Sequence, residues 1–158
     1  MPEETDFIIA APLWPHGAPA LLHLVRRAAQ RSTAEWAATV TSGLTAVQYA
    51  VLVVLAEEEV CDQQTLGSRA GFDKATGTYL IDRMTQSGLV KAQVDLANRR
   101  RKLVSLTPLG QQTLERMVEE AKQAEVQFAS CLEPAEAVAL KHLLGKLCGV
   151  QLQPHAPG

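Results

Sequence analysis

Four cationic side chains stand in a row at Arg99, Arg100, Arg101 and Lys102, directly after Asn98. The chain as a whole has a formal net charge of −2, which by itself gives no support to a nucleic-acid partner. A run of cations is most often just a solvated loop. At the tip of a hairpin, however, arginines can enter the narrow minor groove of DNA or neutralise the phosphates that flank it.

The elements around this run predict such a hairpin. Residues 90–94 and 102–106 have the pattern of two strands and flank a polar loop. Two short helices precede them, one opened by an N-cap at Asp62 and the other by an N-cap at Asp73. Each helix is followed by a glycine that can form a left-handed stop. This order predicts a helix-turn-helix with a β-hairpin wing.

On DNA, the second helix of such a pair can lie in the major groove, where its N-terminal half meets base edges or phosphates. A glycine in that half would allow close backbone approach. The candidate DNA-binding residues are Lys74, Thr76, Gly77, Thr78, Tyr79, Arg99, Arg100, Arg101 and Lys102. We expect Asp95 and Asn98 to brace the arginines through hydrogen bonds.

Helical segments are predicted on both sides of the winged unit, which we place at residues 44–106. Residues 20–43 and 107–150 carry apolar side chains at helical spacing, and residues 1–19 are a proline-rich arm. We interpret residues 1–158 as a single domain. The expected fold class is mainly α with a small β-hairpin: a winged helix-turn-helix lobe plus an N- and C-terminal helical region.

Other classes of protein are not favoured by the sequence. Cys61, Cys131 and Cys148 are too few and too far apart for a disulfide framework or a Cys-x-x-Cys metal site. No nucleophile elbow, phosphate-binding glycine loop or His-Glu-x-x-His pattern suggests an enzyme. No apolar run approaches the roughly twenty residues of a membrane span. We therefore expect a cytoplasmic, nucleoid-associated protein with no metal, no cofactor and no membrane partner.

Five stretches in order resemble successive signatures of MarR-type regulators. They are Leu44–Leu52, Asp73–Met84, Ser87–Val90, Asp95–Arg100 and Leu106–Gly110. The resemblance implies a DNA-binding transcriptional regulator that forms a homodimer through its interlocking terminal helices. Its operator would be a short pseudo-palindrome with half-sites about one helical turn apart. Such regulators usually have Asp in the wing where this chain has Asn98, which cannot form an ion pair with Arg100.

Members of this family commonly respond to phenolic or aromatic carboxylate ligands bound between the dimer helices and the DNA-binding lobe. Residues 17–30 and 44–52 resemble the branch associated with degradation of aromatic acids, which implies a repressor released by such a compound. The candidate ligand-binding residues are His23, Arg26, Arg27, Tyr49, Trp14 and His16. An arginine could pair with a carboxylate, and a tyrosine could contact the ring.

The sequence also allows other roles for these residues and for the winged unit. Arg26 and Arg27 could equally form dimer or surface ion pairs, and Tyr49 could be a core residue. The winged unit could bind a protein rather than DNA. Cys61 could sense oxidants, although the acidic residues near it in sequence would raise its pKa and disfavour the reactive thiolate.

Overall fold

The computed structural model describes residues 21–151. Six helices and three strands follow one another in the order α1 (Leu21–Thr39), α2 (Ala46–Glu58), β1 (Val60–Asp62), α3 (Gln63–Ala70), α4 (Lys74–Gln86), β2 (Val90–Val94), β3 (Lys102–Leu106), α5 (Pro108–Phe128) and α6 (Pro134–Cys148). The mainly helical fold with a winged helix-turn-helix is confirmed. The predicted N-terminal arm, with Trp14 and His16, lies outside the described residues.

The helices begin where the sequence marks their caps. The Thr45 hydroxyl accepts a hydrogen bond from the backbone N–H of Gln48, and the Gln48 side chain accepts one from the backbone N–H of Thr45. The Asp73 carboxylate opens α4 by accepting from Thr76. Thr107 caps α5 and is followed by Pro108, whose missing N–H has no helical partner to lose.

The sheet has three strands, so the prediction of a two-stranded hairpin was one strand short. β3 lies in the centre and pairs antiparallel with both β1 and β2. Val104 is the fully buried residue of β3, and it faces Cys61 on one side and Ala92 on the other. β1 has only three residues, which is too short to show the alternation by which strands are recognised.

One apolar cluster holds the helix-turn-helix on the sheet. It takes fully buried side chains from α2, α3, α4 and β3: Leu52, Leu55, Leu66, Ile81, Met84 and Val104. Each contributes about 1.5–3 kcal/mol through its removal from water. Cys61 of β1 and Val90 of β2 belong to the same cluster, which therefore fixes the orientation of α4 relative to the hairpin.

The terminal helices are covered much less. α1 packs along α5, and the turn after α1 is joined to α5 where the Glu120 carboxylate accepts hydrogen bonds from the Thr41 hydroxyl and backbone N–H. Yet α1 has no buried residue, and α6 buries only Gly145. Leucines such as Leu22 on α1 and Leu147 on α6 are 82% and 66% exposed. Within residues 21–151, no helix is both long and apolar enough to cross a membrane.

Glu59 joins α2 to β1 in a conformation that suits glycine. Its φ of 59° and ψ of −52° are strained for a residue with a Cβ atom. We predict that Glu59→Gly raises the free energy of unfolding by about 1 kcal/mol, because the strain is relieved. Ala56→Gly, on the exposed side of α2, is the control and should lower it by about 1 kcal/mol. Urea titrations measure both, and a destabilised Glu59→Gly would contradict the expectation.

Candidate functional site

An open groove of about 1200 Å³ runs between the helix-turn-helix and the wing. Side chains from the first turns of α3 and α4 form one wall, and cations of the wing form the other. The residues that carry this polar character are Gln63, Thr65, Lys74, Thr78, Arg100 and Lys102. A groove with hydrogen-bonding groups on one side and cations on the other suits a polyanionic partner.

The exposed side of α4 carries four of the predicted DNA-binding residues: Lys74, Thr76, Thr78 and Tyr79. The opposite side is anchored in the core through Leu80, Ile81 and Met84. Tyr79 is 65% exposed, a high value for a large aromatic side chain. The structure therefore directs the polar face of α4 away from the core and toward solvent.

Gly77, which the sequence suggested as a point of close backbone approach, does not belong to that exposed face. It is buried, and a Cβ atom there would lie only 2.6 Å from Cε2 of Phe72. Gly67 on α3 meets the same residue, since a Cβ atom at that position would lie 2.8 Å from the Phe72 carbonyl oxygen and 3.0 Å from Cε2 of its ring. The two glycines thus make room for Phe72 where α3 and α4 cross.

Two of the four wing cations form ion pairs with carboxylates of the described chain, and the other two do not. Arg101 Nη2 lies 3.2 Å from Asp62 Oδ2 and its Nη1 lies 3.9 Å from Asp95 Oδ2. Lys102 Nζ lies 4.0 Å from Asp82 Oδ1 on α4. Within residues 21–151, no carboxylate lies within ion-pair distance of Arg99 or Arg100. The structure thus leaves those two guanidinium groups available to a partner.

Of the two residues expected to brace the wing arginines, Asp95 contacts an arginine side chain and Asn98 does not. Asn98 Oδ1 accepts from the backbone N–H of Arg100 at 3.1 Å, so this asparagine holds the main chain of the loop rather than a guanidinium. Asp95 reaches the side chain of Arg101, and its Oδ1 also accepts from the backbone N–H of Ala97 at 2.9 Å. Both residues order the loop that presents Arg99 and Arg100.

Two carboxylates in the groove remain charged because of the helices they cap. Hydrogen bonds from the backbone N–H and hydroxyl of Thr65 lower the pKa of Asp62, and the charge of Arg101 adds to this effect. Hydrogen bonds from Thr76 likewise lower the pKa of Asp73. Their negative charges are offset locally by the helix N-termini, so they do not make the groove acidic overall.

Sequence reasoning missed several residues of this surface. Gln63, Gln64 and Ser68 of α3 line the groove beside α4. Arg83, one turn after Tyr79, lies over the Tyr79 ring at 5.7 Å from its centroid and donates to the hydroxyl at 3.3 Å. The i, i+4 spacing of Tyr79 and Arg83 was the available signal, because such pairs meet on one helix face.

The predicted ligand residues fall into two separate places. His23 and Arg26 meet near the start of α1, where the guanidinium lies 2.9 Å from Nδ1 of the ring. Tyr49 packs against Trp36 near the other end of α1, with ring centroids 5.4 Å apart. Trp36 lies nine positions after Arg27, so the two places are about 13.5 Å apart along α1. One protomer does not bring them together.

The imidazole ring of His23 is neutral and carries its proton on Nε2. Desolvation and the charges of Arg26 and Arg27 lower its pKa, so the ring is neutral at pH 7. A guanidinium only donates, so Nδ1 must accept and the ring proton sits on Nε2. Nε2 is buried, and no group in the described part of the chain accepts from it. Desolvation also raises the pKa of Tyr49, which keeps its hydroxyl protonated.

A second, smaller groove of about 370 Å³ lies between the α1–α2 turn, the end of α4 and α5. Its walls include Thr41, Leu44, Leu89, Arg116 and Met117, and none of the predicted ligand residues. It offers one guanidinium beside an apolar wall. The Glu120 carboxylate lines the same groove, so an anion that carries a ring would have to bind there at the Arg116 side.

Cys61 does not have the features of a redox sensor. The side chain is buried, and desolvation together with the charges of Asp62 and Glu58 raises the pKa of its thiol. The thiol is therefore held in its unreactive protonated form. Among residues 21–151, no group of three or more His, Cys, Asp or Glu side chains is placed to hold a metal ion.

Comparison with known proteins agrees with this geometry. The sequence model of the MarR family matches residues 42–101. The HTH-type transcriptional repressor NicR of Pseudomonas putida is 31% identical over 126 residues, which cover 79% of this chain and 80% of NicR. The transcriptional regulator HosA of Escherichia coli is 30% identical over 79% of this chain and 92% of its own.

A solved structure gives a similar result. BpsR of Bordetella bronchiseptica, whose structure is described as a mechanism for regulation of its DNA binding by 6-hydroxynicotinic acid, is 38% identical. The match has a TM-score of 0.73 and covers 79% of this chain and 96% of BpsR. The resemblance inferred from the five sequence stretches is thereby confirmed. Together with the winged lobe, these relatives establish that the chain belongs to the MarR family of transcriptional regulators, which are not enzymes.

Proposed function

We propose that this protein is a sequence-specific DNA-binding repressor that acts as a homodimer and leaves its operator when a small aromatic carboxylate or phenolic compound binds. The observation that carries the DNA-binding part is the groove, in which the exposed face of α4 lies beside two wing arginines without carboxylate partners in the described chain. The homodimer is supported by the exposed apolar side chains of the terminal helices. The effector site is supported by the cationic side chains at the start of α1.

The groove fits duplex DNA in two ways. α4 can enter the major groove with Lys74, Thr76, Thr78 and Tyr79, and base edges there carry a unique pattern of donors and acceptors. Arg99 and Arg100 can then reach the adjacent minor groove or its phosphates. Gln63, Thr65 and Ser68 of α3 add donors for the phosphates beside α4. We leave Gly77 out of this interface because it is buried.

Dimer formation would cover the apolar side chains that one protomer leaves in water. On α6 these include Val138, Leu143, Leu144 and Leu147, with exposed fractions between 38% and 70%. Monomeric proteins rarely expose so many neighbouring apolar groups. Two copies joined through α1 and α6 would present two α4 helices to successive major grooves, which favours a pseudo-palindromic operator.

The proposed effector site lies at the start of α1. Nε2–H of His23 and the guanidinium groups of Arg26 and Arg27 supply donors and positive charge for a carboxylate. BpsR supports the choice of an aromatic acid, since its DNA binding is described as regulated by 6-hydroxynicotinic acid. Tyr49 lies too far away in the same protomer, so a second copy would have to supply it. Binding that favours another spacing of the lobes would release the DNA, and DNA would weaken effector binding by the same factor.

Arg100→Ala tests the DNA interface. We expect the variant to fold normally and to bind operator DNA about tenfold more weakly, because a charge at the groove is lost. Arg116→Ala, which removes an exposed arginine of α5 on the second groove, is the matched control and should bind as the wild type does. Fluorescence anisotropy from low to moderate salt measures the affinities. Equal affinities of the two variants would remove the wing from the interface.

The same titration separates DNA binding from the alternative of a protein-binding winged helix. Counterion release makes DNA affinity fall steeply and linearly in a plot of log affinity against log salt. The wild-type protein should lose about tenfold or more in affinity for every threefold rise in salt if it neutralises several phosphates. Absence of binding to any duplex, or a flat salt profile, would favour the protein-contact alternative.

Leu144→Asp tests the dimer. We expect a monomer at micromolar concentration, because a carboxylate would be buried without a partner in the interface. Leu96→Asp is the matched control: Leu96 is 94% exposed at the wing tip, so the same substitution there should leave a dimer. Light scattering after gel filtration measures both masses. A dimeric, DNA-binding Leu144→Asp protein would show that α6 does not form the interface.

The effector site is tested by thermal stabilisation with nicotinic, 6-hydroxynicotinic and hydroxyphenylacetic acids. At a hundredfold excess over Kd, a ligand should raise the midpoint of unfolding by about 5 °C or more. Arg26→Gln should abolish the shift, and nicotinamide, which lacks the carboxylate, should give none. Arg116→Gln should keep the shift; if it loses the shift while Arg26→Gln keeps it, the effector occupies the second groove instead.

A further inference from the structure

We infer that Arg101 is a positioning residue that ties the wing to the start of α3, and that only Arg99 and Arg100 of the wing arginines contact DNA. The inference rests on the proposed DNA-binding function and assigns different roles to residues that the sequence presents as one cationic run. It gives Arg101 a different role from the direct DNA contact that the sequence suggested.

The Arg101 side chain joins two parts of the lobe that are distant in sequence. Its guanidinium lies between Asp62, at the first turn of α3, and Asp95, at the start of the wing loop. The two carboxylates are only 20% and 16% exposed, whereas the guanidinium is 49% exposed. Partly shielded pairs of this kind are screened by salt less than fully exposed ones.

The main chain of Arg101 fixes the direction of that side chain. Its N–H donates to the Asn98 carbonyl at 2.8 Å, and its own carbonyl accepts from the N–H of Asp95 at 2.9 Å. These two bonds close the wing loop directly before β3 begins. A side chain at this position cannot follow the loop tip toward DNA without leaving both carboxylates.

The other partner, Asp62, is held equally firmly. Oδ1 accepts from the backbone N–H groups of Gln64 and Thr65, and Oδ2 accepts from the Thr65 hydroxyl at 2.7 Å as well as from Arg101. Asp62 is therefore both the N-cap of α3 and the anchor of the wing. Lys102 makes a second, longer contact to Asp82 of α4, but both of those side chains are about half exposed, so we assign it the smaller effect.

This tether has a consequence for DNA binding. Arg99 and Arg100 must reach the duplex while α4 occupies the major groove, so the distance between the wing tip and α4 has to be set. A wing that is already ordered loses less conformational freedom when it binds. Removing the tether should therefore weaken binding without removing a phosphate contact.

Free protein tests the tether itself. Arg101→Gln removes the charge, and Asp62→Ser removes the anchor but keeps an N-cap hydroxyl. Arg99→Gln is the matched control. We expect amide hydrogen exchange of residues 96–101, measured by NMR, to be faster in both Arg101→Gln and Asp62→Ser, and unchanged in Arg99→Gln. Unchanged exchange in the first two variants would overturn the tether, whether or not the protein binds DNA.

DNA binding tests the division of roles, with a duplex that the wild type selects from a random-sequence library. Arg101→Gln and Asp62→Ser should each weaken binding by about 3- to 10-fold with the salt slope unchanged. The double variant should be no weaker than either single one. Arg99→Gln should lower the salt slope by about one.

The opposite results would identify Arg101 as a DNA ligand. In that case Asp62→Ser would free the guanidinium and tighten binding, and Arg101→Gln would lower the salt slope as Arg99→Gln does. If the wild type selects no duplex at all, the proposed function fails, and the exchange rates in the free protein still decide whether the tether exists.

Discussion

The pairing of β3 with strands on both sides determines where the wing lies. β1 leads directly into α3, so hydrogen bonds between β1 and β3 attach the base of the wing to the first turn of the helix-turn-helix. Val104, fully buried at the centre of β3, packs the sheet onto the same cluster that holds α4. The position of the cationic tip is therefore set mainly by backbone pairing and apolar burial. Ion pairs make a smaller contribution to the position of the wing than backbone pairing and apolar burial do.

This order of effects explains how a chain with a net charge of −2 can present a surface suited to DNA. The carboxylates of Asp62 and Asp73 sit in the groove, but each is satisfied by the N-terminus of the helix that it caps. Arg101 offsets Asp62 further. The groups that remain available to a partner are Arg99, Arg100 and the polar face of α4. Local structure, rather than overall charge, selects which charges a polyanion would meet.

Elements that depend on local rules were predictable from the sequence. Caps such as Thr45 and Asp73 involve neighbours within three residues, so the helix starts could be placed, and the order of elements followed. Features that depend on distant contacts were not. The sequence suggested that Gly77 allows close backbone approach to DNA, whereas in the structure the ring of Phe72 fills the space beside it. The sequence could not distinguish Arg101 from Arg99, because the partner of Arg101, Asp62, lies 39 residues earlier and is brought near only by the fold. The separation of Tyr49 from Arg26 likewise depends on a distant contact, because Tyr49 of α2 meets α1 at Trp36.

The main packing partner of α1 is α5, which begins at the base of the wing, and the two ends of α5 are held differently. At its N-terminus the Thr107 hydroxyl donates to the carbonyls of Gly88 and Leu89, and a Cβ atom on Gly110 would lie 2.1 Å from the Leu89 carbonyl oxygen. That end is therefore part of the winged lobe. Farther along, α5 packs on α1 through contacts such as Arg31 with the Phe128 ring. In the proposed mechanism, a ligand that changes the packing of α1 on α5 must move the lobe as a rigid unit, because α5 cannot turn at its N-terminus without breaking close contacts. The ligand shifts the equilibrium only by the difference in its affinity for the two arrangements.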